Sequence, residues 1–286
     1  MQLSNLPTFQ LGLIGYPLGH SLSPKVHTAA LKACGLEGSY SLFPIPPEDT
    51  QSLKDLLARV RVGELHGLNV TIPHKQNVIP LLDELTPTAK AIGAVNTIYL
   101  RENKLIGDNT DAAGFLADLK KFMGDGRLGN RELEIGKPAL VLGAGGSARA
   151  VVYALLNDGW QVSIAARRVE QAQELARQFE STKAIELNLS TFKPSNPQLI
   201  INTTPIGMTP NVDQSPLPEN ITLSKDTVIY DLVYNPRETK LVKDARAQGL
   251  SATTGLGMLI EQAALAFELW TGHTPSRDIL RTATDN

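Results

Sequence analysis

Cysteine is nearly absent from this 286-residue chain. The single Cys34 excludes an intrachain disulfide and any multi-cysteine metal site. Among Ala29, Ala30, Leu31 and Ala33 it reads as a small buried hydrophobe. Charge of one sign is missing as well, with 27 Lys+Arg against 29 Asp+Glu and a net charge of −2. The chain therefore carries no electrostatic footprint for nucleic acid or an anionic membrane, and an anionic ligand must be held by local groups. No apolar run is long enough to span a bilayer, and the N-terminus lacks the basic start and apolar core of a signal peptide. The five histidines show no ligand spacing such as H-E-x-x-H, so no metal is expected. These absences lead to the expectation of a cytoplasmic enzyme or binding protein. What is present, 42% hydrophobic and 20% charged residues with 23 Gly and 18 Pro, is the composition of a turn-rich globular protein long enough for two domains.

The most informative stretch is Ala139-Leu140-Val141-Leu142-Gly143-Ala144-Gly145-Gly146-Ser147-Ala148-Arg149-Ala150. An apolar run enters a glycine turn and leaves as a helix with Val151, Val152, Ala154, Leu155 and Leu156 within two turns. Gly143, Gly145 and Ala148 fit the G-x-G-x-x-G/A spacing. The first glycine permits the tight turn, the second lets backbone approach a pyrophosphate, and the small third residue lets helix pack on strand. The helix N-terminus then offers unpaired N–H groups and a partial positive charge to phosphates.

Strand and helix patterns follow on both sides of this turn. Residues 9–15 read as a strand. A loop bearing Ser21 leads from it to a helix with Ser23 as N-cap, Pro24 as its first residue and Gly35 as its stop. A strand over residues 39–44 precedes a helix over 48–61 whose apolar stripe is Leu53, Leu56, Leu57 and Val60. In Gly67-Leu68-Asn69-Val70-Thr71-Ile72-Pro73-His74-Lys75 a strand would put Leu68, Val70 and Ile72 on one face and Asn69 and Thr71 on the other, with Lys75 at its mouth beyond Pro73. From spacing alone an ordinary solvated face explains Asn69, Thr71 and Lys75. Asn96 opens a strand over 96–100 that ends in a polar hairpin turn, 101–104. Residues 107–114 lead into a helix where Asp111 suits the first turn.

Residues 127–137 read as a polar lead-in to the strand before the glycine turn. Beyond the turn, strands at 161–165, 184–187, 199–202 and 227–231 and a helix over 170–179 imply right-handed crossovers and a doubly wound parallel sheet. At the end of the second strand of this unit, where an NAD-preferring protein places an acidic residue, the chain has Ala165-Ala166-Arg167-Arg168. Two arginines suit a ribose 2′-phosphate through charge-assisted hydrogen bonds, which favours NADP over NAD.

Seven motifs in order, Ser21-Leu22-Ser23-Pro24, Asn69 to Lys75, Gly93-Ala94-Val95-Asn96-Thr97, Asn109-Thr110-Asp111, Gly143 to Ala148, Asn202-Thr203-Thr204-Pro205-Ile206-Gly207-Met208 and Gly255-Leu256-Gly257-Met258-Leu259-Ile260-Glu261-Gln262-Ala263-Ala264, resemble the shikimate dehydrogenase family over nearly the whole chain. The resemblance reverses the reading of Asn69, Thr71 and Lys75. It implies reversible NADPH-dependent reduction of 3-dehydroshikimate to shikimate in aromatic amino acid biosynthesis, on a two-domain α/β fold with a cleft between an N-terminal α/β substrate domain and a Rossmann-like NADP domain.

Carried over residue by residue, the family pattern makes Lys75 and Asp111 the catalytic pair. Ser21, Ser23, Asn69, Thr71, Asn96, Tyr234 and Gln262 bind the substrate. Gly143, Ala144, Gly145, Gly146, Ser147 and Ala148 meet the pyrophosphate, and Arg167 and Arg168 the 2′-phosphate. Thr203, Pro205 and Met208 line the ribose and nicotinamide side, with Gly255 and Met258 closing over the ring. Many members carry Asn-Arg-Thr where this chain has Ala166-Arg167-Arg168, so its phosphate clamp loses an amide and a hydroxyl and gains a charge. The substrate residue on the last long helix makes the substrate domain discontinuous, 1–110 completed by 255–286, with the NADP domain at 111–254. The partners implied are small molecules, with no nucleic acid and no membrane, for a monomer or homodimer. The competing readings are a quinate/shikimate dehydrogenase accepting NAD and a nonenzymatic ligand sensor on the same fold.

Overall fold

The structure, a computed structural model, describes residues 8–124, 136–188, 196–218 and 221–285. Most of the lead-in expected at 127–137 lies outside them. The chain divides into two compact units, one within Met1–Asp111 and Ile260–Asn286 and the other Ala112–Leu259.

The first unit starts β1 (Phe9–Gly15), α1 (Ser23–Ala33), β2 (Gly38–Pro44), α2 (Thr50–Arg61) and β3 (Gly67–Val70), then β4 (Glu84–Leu85), α3 (Pro87–Ile92) and the hairpin β5 (Thr97–Arg101) and β6 (Lys104–Asp108). Its sheet runs β2-β1-β3-β5-β6-β4, parallel from β2 to β3 and antiparallel through β5 and β6. The α2 stripe of Leu53, Leu56, Leu57 and Val60 is buried with Leu68, Val70 and Ile98. Asp49 caps α2 by accepting from Ser52 N at 3.0 Å. The β5–β6 turn places Glu102 and Asn103 at positive φ, as a two-residue hairpin requires.

Helix α4 (Asp111–Gly124) leads to the second unit, which continues β7 (Pro138–Leu142), α5 (Gly146–Asn157), β8 (Gln161–Ala166), α6 (Val169–Gln178), β9 (Lys183–Glu186), β10 (Leu199–Asn202), β11 (Val228–Asp231), α7 (Lys240–Ala247) and β12 (Ser251–Thr254). Helices α8 (Leu256–Thr271) and α9 (Arg277–Ala283) complete the chain. The second sheet, β12-β11-β10-β7-β8-β9, is parallel throughout. Counted from β7 this is the doubly wound dinucleotide-binding order, whose topological switch point falls between β7 and β10 and puts ligands at the carboxyl ends of those strands. No helix among the described residues is long and apolar enough to cross a membrane.

Three local expectations are corrected. Strand β3 stops at Val70 rather than running to Ile72, because Pro73 has no N–H to continue the ladder and His74 N closes a turn on Thr71 O at 2.9 Å. Ile72 is consequently 51% exposed. Ser23 is the first residue of α1, not its cap: Leu22 holds the N-cap position without a side-chain bond, and Ser21 Oγ accepts from Ser23 N at 3.2 Å. Cys34, the C-cap of α1, is half-buried rather than a core residue. The short elements β4, α3, α7, β12 and α9 carried no sequence period long enough to be read.

Candidate active site

In the first unit, five of the residues singled out by sequence meet in one hydrogen-bonded cluster. Lys75 follows the turn after β3, and Val95 N fixes its backbone by donating to Lys75 O at 2.7 Å. Its ammonium donates to Asp111 Oδ2 at 2.6 Å, with the two side chains 10% and 7% exposed. A pair so removed from water holds together only with further hydrogen bonds. Asn96 supplies one, donating from Nδ2 to Asp111 Oδ1 at 2.8 Å and also to Thr110 Oγ1 and Gln262 Oε1 at 3.0 and 3.3 Å.

Asn96 is itself immobilised. Its Oδ1 accepts from Thr110 N and Thr97 Oγ1, and its backbone N–H donates to Asp108 O. Asn69 joins through Nδ2, which donates to Asn96 O at 3.2 Å, while its Oδ1 accepts from Tyr40 Oη at 2.8 Å. Ser21 and Ser23 stand at the start of α1, and Thr71 follows β3 with its N–H bound to Ile14 O. Among the described residues these three make no side-chain hydrogen bond to the cluster. Tyr234 belongs to the second unit, half-buried in the loop after β11.

Sequence reasoning passed over several supporting groups. Tyr40 is the inward residue of the edge strand β2, and Thr97 and Thr110 were quoted within motifs without a task. Behind Tyr40 lies His27, fully buried and stacked on the tyrosine ring at 4.4 Å. Neither His27 ring nitrogen has a hydrogen-bond partner among the described residues. Burial lowers its pKa to about 3 against a weaker opposing pull from Asn69, so the ring is neutral. These partners are contacts between distant strands, and nothing in the local pattern signals them.

In the second unit the glycine turn has the shape its spacing requires. Gly143 has φ +112°, and a Cβ there would stand 2.6 Å from Thr203 Oγ1, so another residue is excluded by both backbone and space. A Cβ on Gly145 would meet nothing within 4 Å, which leaves room for a phosphate to approach the backbone. Gly145 is also the N-cap of α5 and has no side chain to satisfy the first N–H groups of the helix. Ala148 is fully buried. The residues present therefore fit a dinucleotide phosphate.

Arg167 and Arg168 are both exposed immediately after β8. Arg149, nearer the turn in sequence, is engaged by Gln178 and lies 3.9 Å from Glu174. Thr203, Pro205 and Met208 line the loop after β10, with Met208 39% exposed. Gly255 and Met258 are buried at the start of α8, and a Cβ on Gly255 would overlap Leu232 O at 2.2 Å. Two buried carboxylates in this unit lie outside the motif assignments. Asp118 accepts from Tyr230 Oη at 2.6 Å. Asp231 is pushed up to about 6 by burial, against hydrogen bonds from Thr239, Val233 and Asn202.

Comparison with known proteins gives the chain a family. Residues 13–98 match the family described as the shikimate dehydrogenase substrate binding domain, residues 128–240 the shikimate / quinate 5-dehydrogenase family, and residues 255–283 the shikimate 5′-dehydrogenase C-terminal domain. The shikimate dehydrogenase (NADP(+)) of Carboxydothermus hydrogenoformans is 42% identical over 277 residues, 95% of each chain. The chain belongs to the shikimate dehydrogenase family. Another relative, the shikimate dehydrogenase (NADP(+)) of Salinibacter ruber, is 44% identical over 91% of this chain and 90% of its own. Among solved structures, the family member from Thermus thermophilus in complex with NADP(H) and shikimate superposes with a TM-score of 0.83 at 37% identity, covering 97% of this chain and 99% of that one.

Proposed function

We propose that the chain is an NADP-dependent shikimate dehydrogenase, an oxidoreductase of aromatic amino acid biosynthesis that reversibly reduces 3-dehydroshikimate to shikimate. The observation that carries this reading is the buried Lys75–Asp111 pair, 2.6 Å apart and braced by Asn96. When bound, NADPH supplies the hydride that ends on the carbonyl carbon. Negative charge then develops on the carbonyl oxygen, and a protonated Lys75 stabilises it and provides the proton. Asp111 keeps the ammonium in place and takes a neighbouring substrate hydroxyl, with its second oxygen held by Asn96. Ser21 and Ser23 bind the substrate carboxylate, and Asn69, Thr71, Asn96, Tyr234 and Gln262 its remaining groups.

For the cofactor, residues 143–148 hold the pyrophosphate and Arg167 and Arg168 the 2′-phosphate. Thr203, Pro205 and Met208 lie along the ribose and nicotinamide, with Gly255 and Met258 over the ring. We assign 1–110 with 255–286 to substrate and catalysis and 111–254 to NADP. The near-neutral charge and single cysteine suit a cytoplasmic enzyme working on small molecules, as a monomer or homodimer. No observation favours NAD, since arginine stands where an acidic residue would, or a ligand sensor, since both catalytic residues are present.

Initial rates with shikimate and quinate, each with NADP and NAD, test the reading. The expected result is a kcat/KM for shikimate with NADP exceeding the other three combinations by about 100-fold or more, the discrimination available to a site built around specific polar groups. Comparable rates with NAD, or a preference for quinate, would overturn it.

A further inference from the structure

Three neighbouring strands of the second sheet end in register, with Leu142, Asn202 and Asp231 side by side at the carboxyl ends of β7, β10 and β11. Asn202 and Asp231 are both fully buried, which polar groups tolerate only when hydrogen-bonded. Asn202 Nδ2 donates to Asp231 Oδ1 at 2.8 Å. Each residue then holds a loop. Asn202 Oδ1 accepts from Thr204 N at 2.9 Å and Thr204 Oγ1 at 2.7 Å, and its Nδ2 also reaches Ile206 O at 3.3 Å. Asp231 accepts from Val233 N at 3.0 Å and from Thr239 Oγ1, the cap of α7, at 2.7 Å.

The loop over residues 203–208 is fixed from its other side by the glycine turn. Thr203 N and Oγ1 both donate to Leu142 O, at 2.9 and 2.7 Å, and Thr203 Oγ1 fills the space that a Cβ on Gly143 would need. This loop is thus clamped between the phosphate turn and a buried carboxylate. A carboxylate suits the post because three donors, Asn202 Nδ2, Val233 N and Thr239 Oγ1, converge on its two oxygens. It takes all three as charge-assisted bonds and offers no proton of its own.

We propose that Asp231, acting through Asn202, is a positioning residue for NADP(H): it seats the loop over residues 203–208 against the glycine turn and so sets cofactor affinity without touching the cofactor. This rests on the reading of Thr203, Pro205 and Met208 as cofactor-lining. In the full chain, Asp231→Ala is expected to weaken NADPH binding, followed by NADPH fluorescence, by about tenfold, the scale of one lost bond to a charged group. The KM for shikimate rises by a smaller factor, because Asp231 reaches the substrate groups only through Val233 N and the neighbouring Tyr234. Asp231→Asn, which keeps an acceptor for Asn202 and Val233, restores most of the affinity.

An unchanged NADPH constant in Asp231→Ala overturns the proposal, and so does an equal loss for NADPH and shikimate, which a general loosening would give. Should Asp231→Ala not fold, Asn202→Ala carries the test: it cuts the link yet leaves the other two bonds of Asp231 intact, and unchanged NADPH binding there is equally fatal. Met208→Ala separates the two levels of the argument. If Met208→Ala leaves NADPH binding unchanged, the cofactor reading of the loop fails; an effect of Met208→Ala beside an inert Asp231→Ala removes the positioning role alone.

Discussion

In the first unit, Asn69, Lys75, Asn96, Asp111 and Gln262 are each at most 8% exposed and joined in one hydrogen-bonded network, Asn69 through the backbone carbonyl of Asn96 and the others side chain to side chain. In the second, the groups assigned to the phosphates of the dinucleotide are the backbone of a glycine turn and two exposed arginines. The difference follows from what each must do. A group that transfers a proton has to stand in its reacting geometry beforehand, since dipoles reoriented during the reaction return little stabilisation. A 2′-phosphate can order mobile guanidinium groups on arrival. It gains less per contact that way and is subject to salt screening.

The sharpest way to break this comparison is at Lys75. Lys75→Ala is expected to lower kcat by about 10²- to 10⁴-fold, the range for a lost general acid, with a much smaller change in the KM for shikimate. Near-normal kcat in a folded variant would remove the catalytic assignment. Acid should also set the units apart, because a buried titrating group in each shifts in the opposite sense. His27, lowered from 6.5 to about 3, contributes stability that is present above pH 6.5 and lost as pH falls toward 3. Asp231, raised from 3.8 to about 6, contributes stability that is present below pH 3.8 and lost as pH rises through 6.

Urea unfolding of wild type and Asp231→Asn at pH 4 and 7 isolates the second effect. The variant should gain about 2.4 kcal/mol on wild type between the two values, and a constant difference would show that Asp231 does not titrate in this window. A smaller change is expected for Arg167→Ala, which should weaken NADPH by roughly 1.5–3 kcal/mol, the scale of hydrogen bonds to a charged group, and barely affect NADH. Equal losses for both cofactors would count against the 2′-phosphate role. The smallest effect belongs to Tyr40→Phe, which removes a donor from Asn69 and should cost about 1 kcal/mol of stability. A several-fold rise in the KM for shikimate should accompany it, and an unchanged KM would show that Asn69 keeps its orientation without Tyr40.

The second unit was the more legible of the two in sequence, because its signals are local. The apolar strand, Gly143, Gly145, Ala148 and the arginines after β8 lie within one stretch of chain, and each states its own backbone requirement. The first unit was legible mainly through its likeness to a family. Spacing alone left Asn69, Thr71 and Lys75 on a solvated face, since neither the partner of Lys75 nor that of Asn69 lies nearby in the chain. Tyr40, Thr110 and Asp231 were missed for the same reason: their work is done across strands that only the fold makes neighbours. Ser21 shows the converse, a local bond: its hydroxyl accepts from the backbone of Ser23.

Trp270 completes the first unit from the far end of the chain. Its ring occupies the space beside Gly67, 2.2 Å from where a Cβ would be, and its Nε1 donates to Ile98 O across a separation of 172 residues. The bond from Asn96 to Gln262 spans 166. During synthesis from the N-terminus the second unit, ending at Leu259, has its whole sequence available before the residues that close the first have been made. The unit bearing the Lys75–Asp111 pair is therefore begun first and supplied last, and joining its two segments carries the entropic cost of closing a long loop.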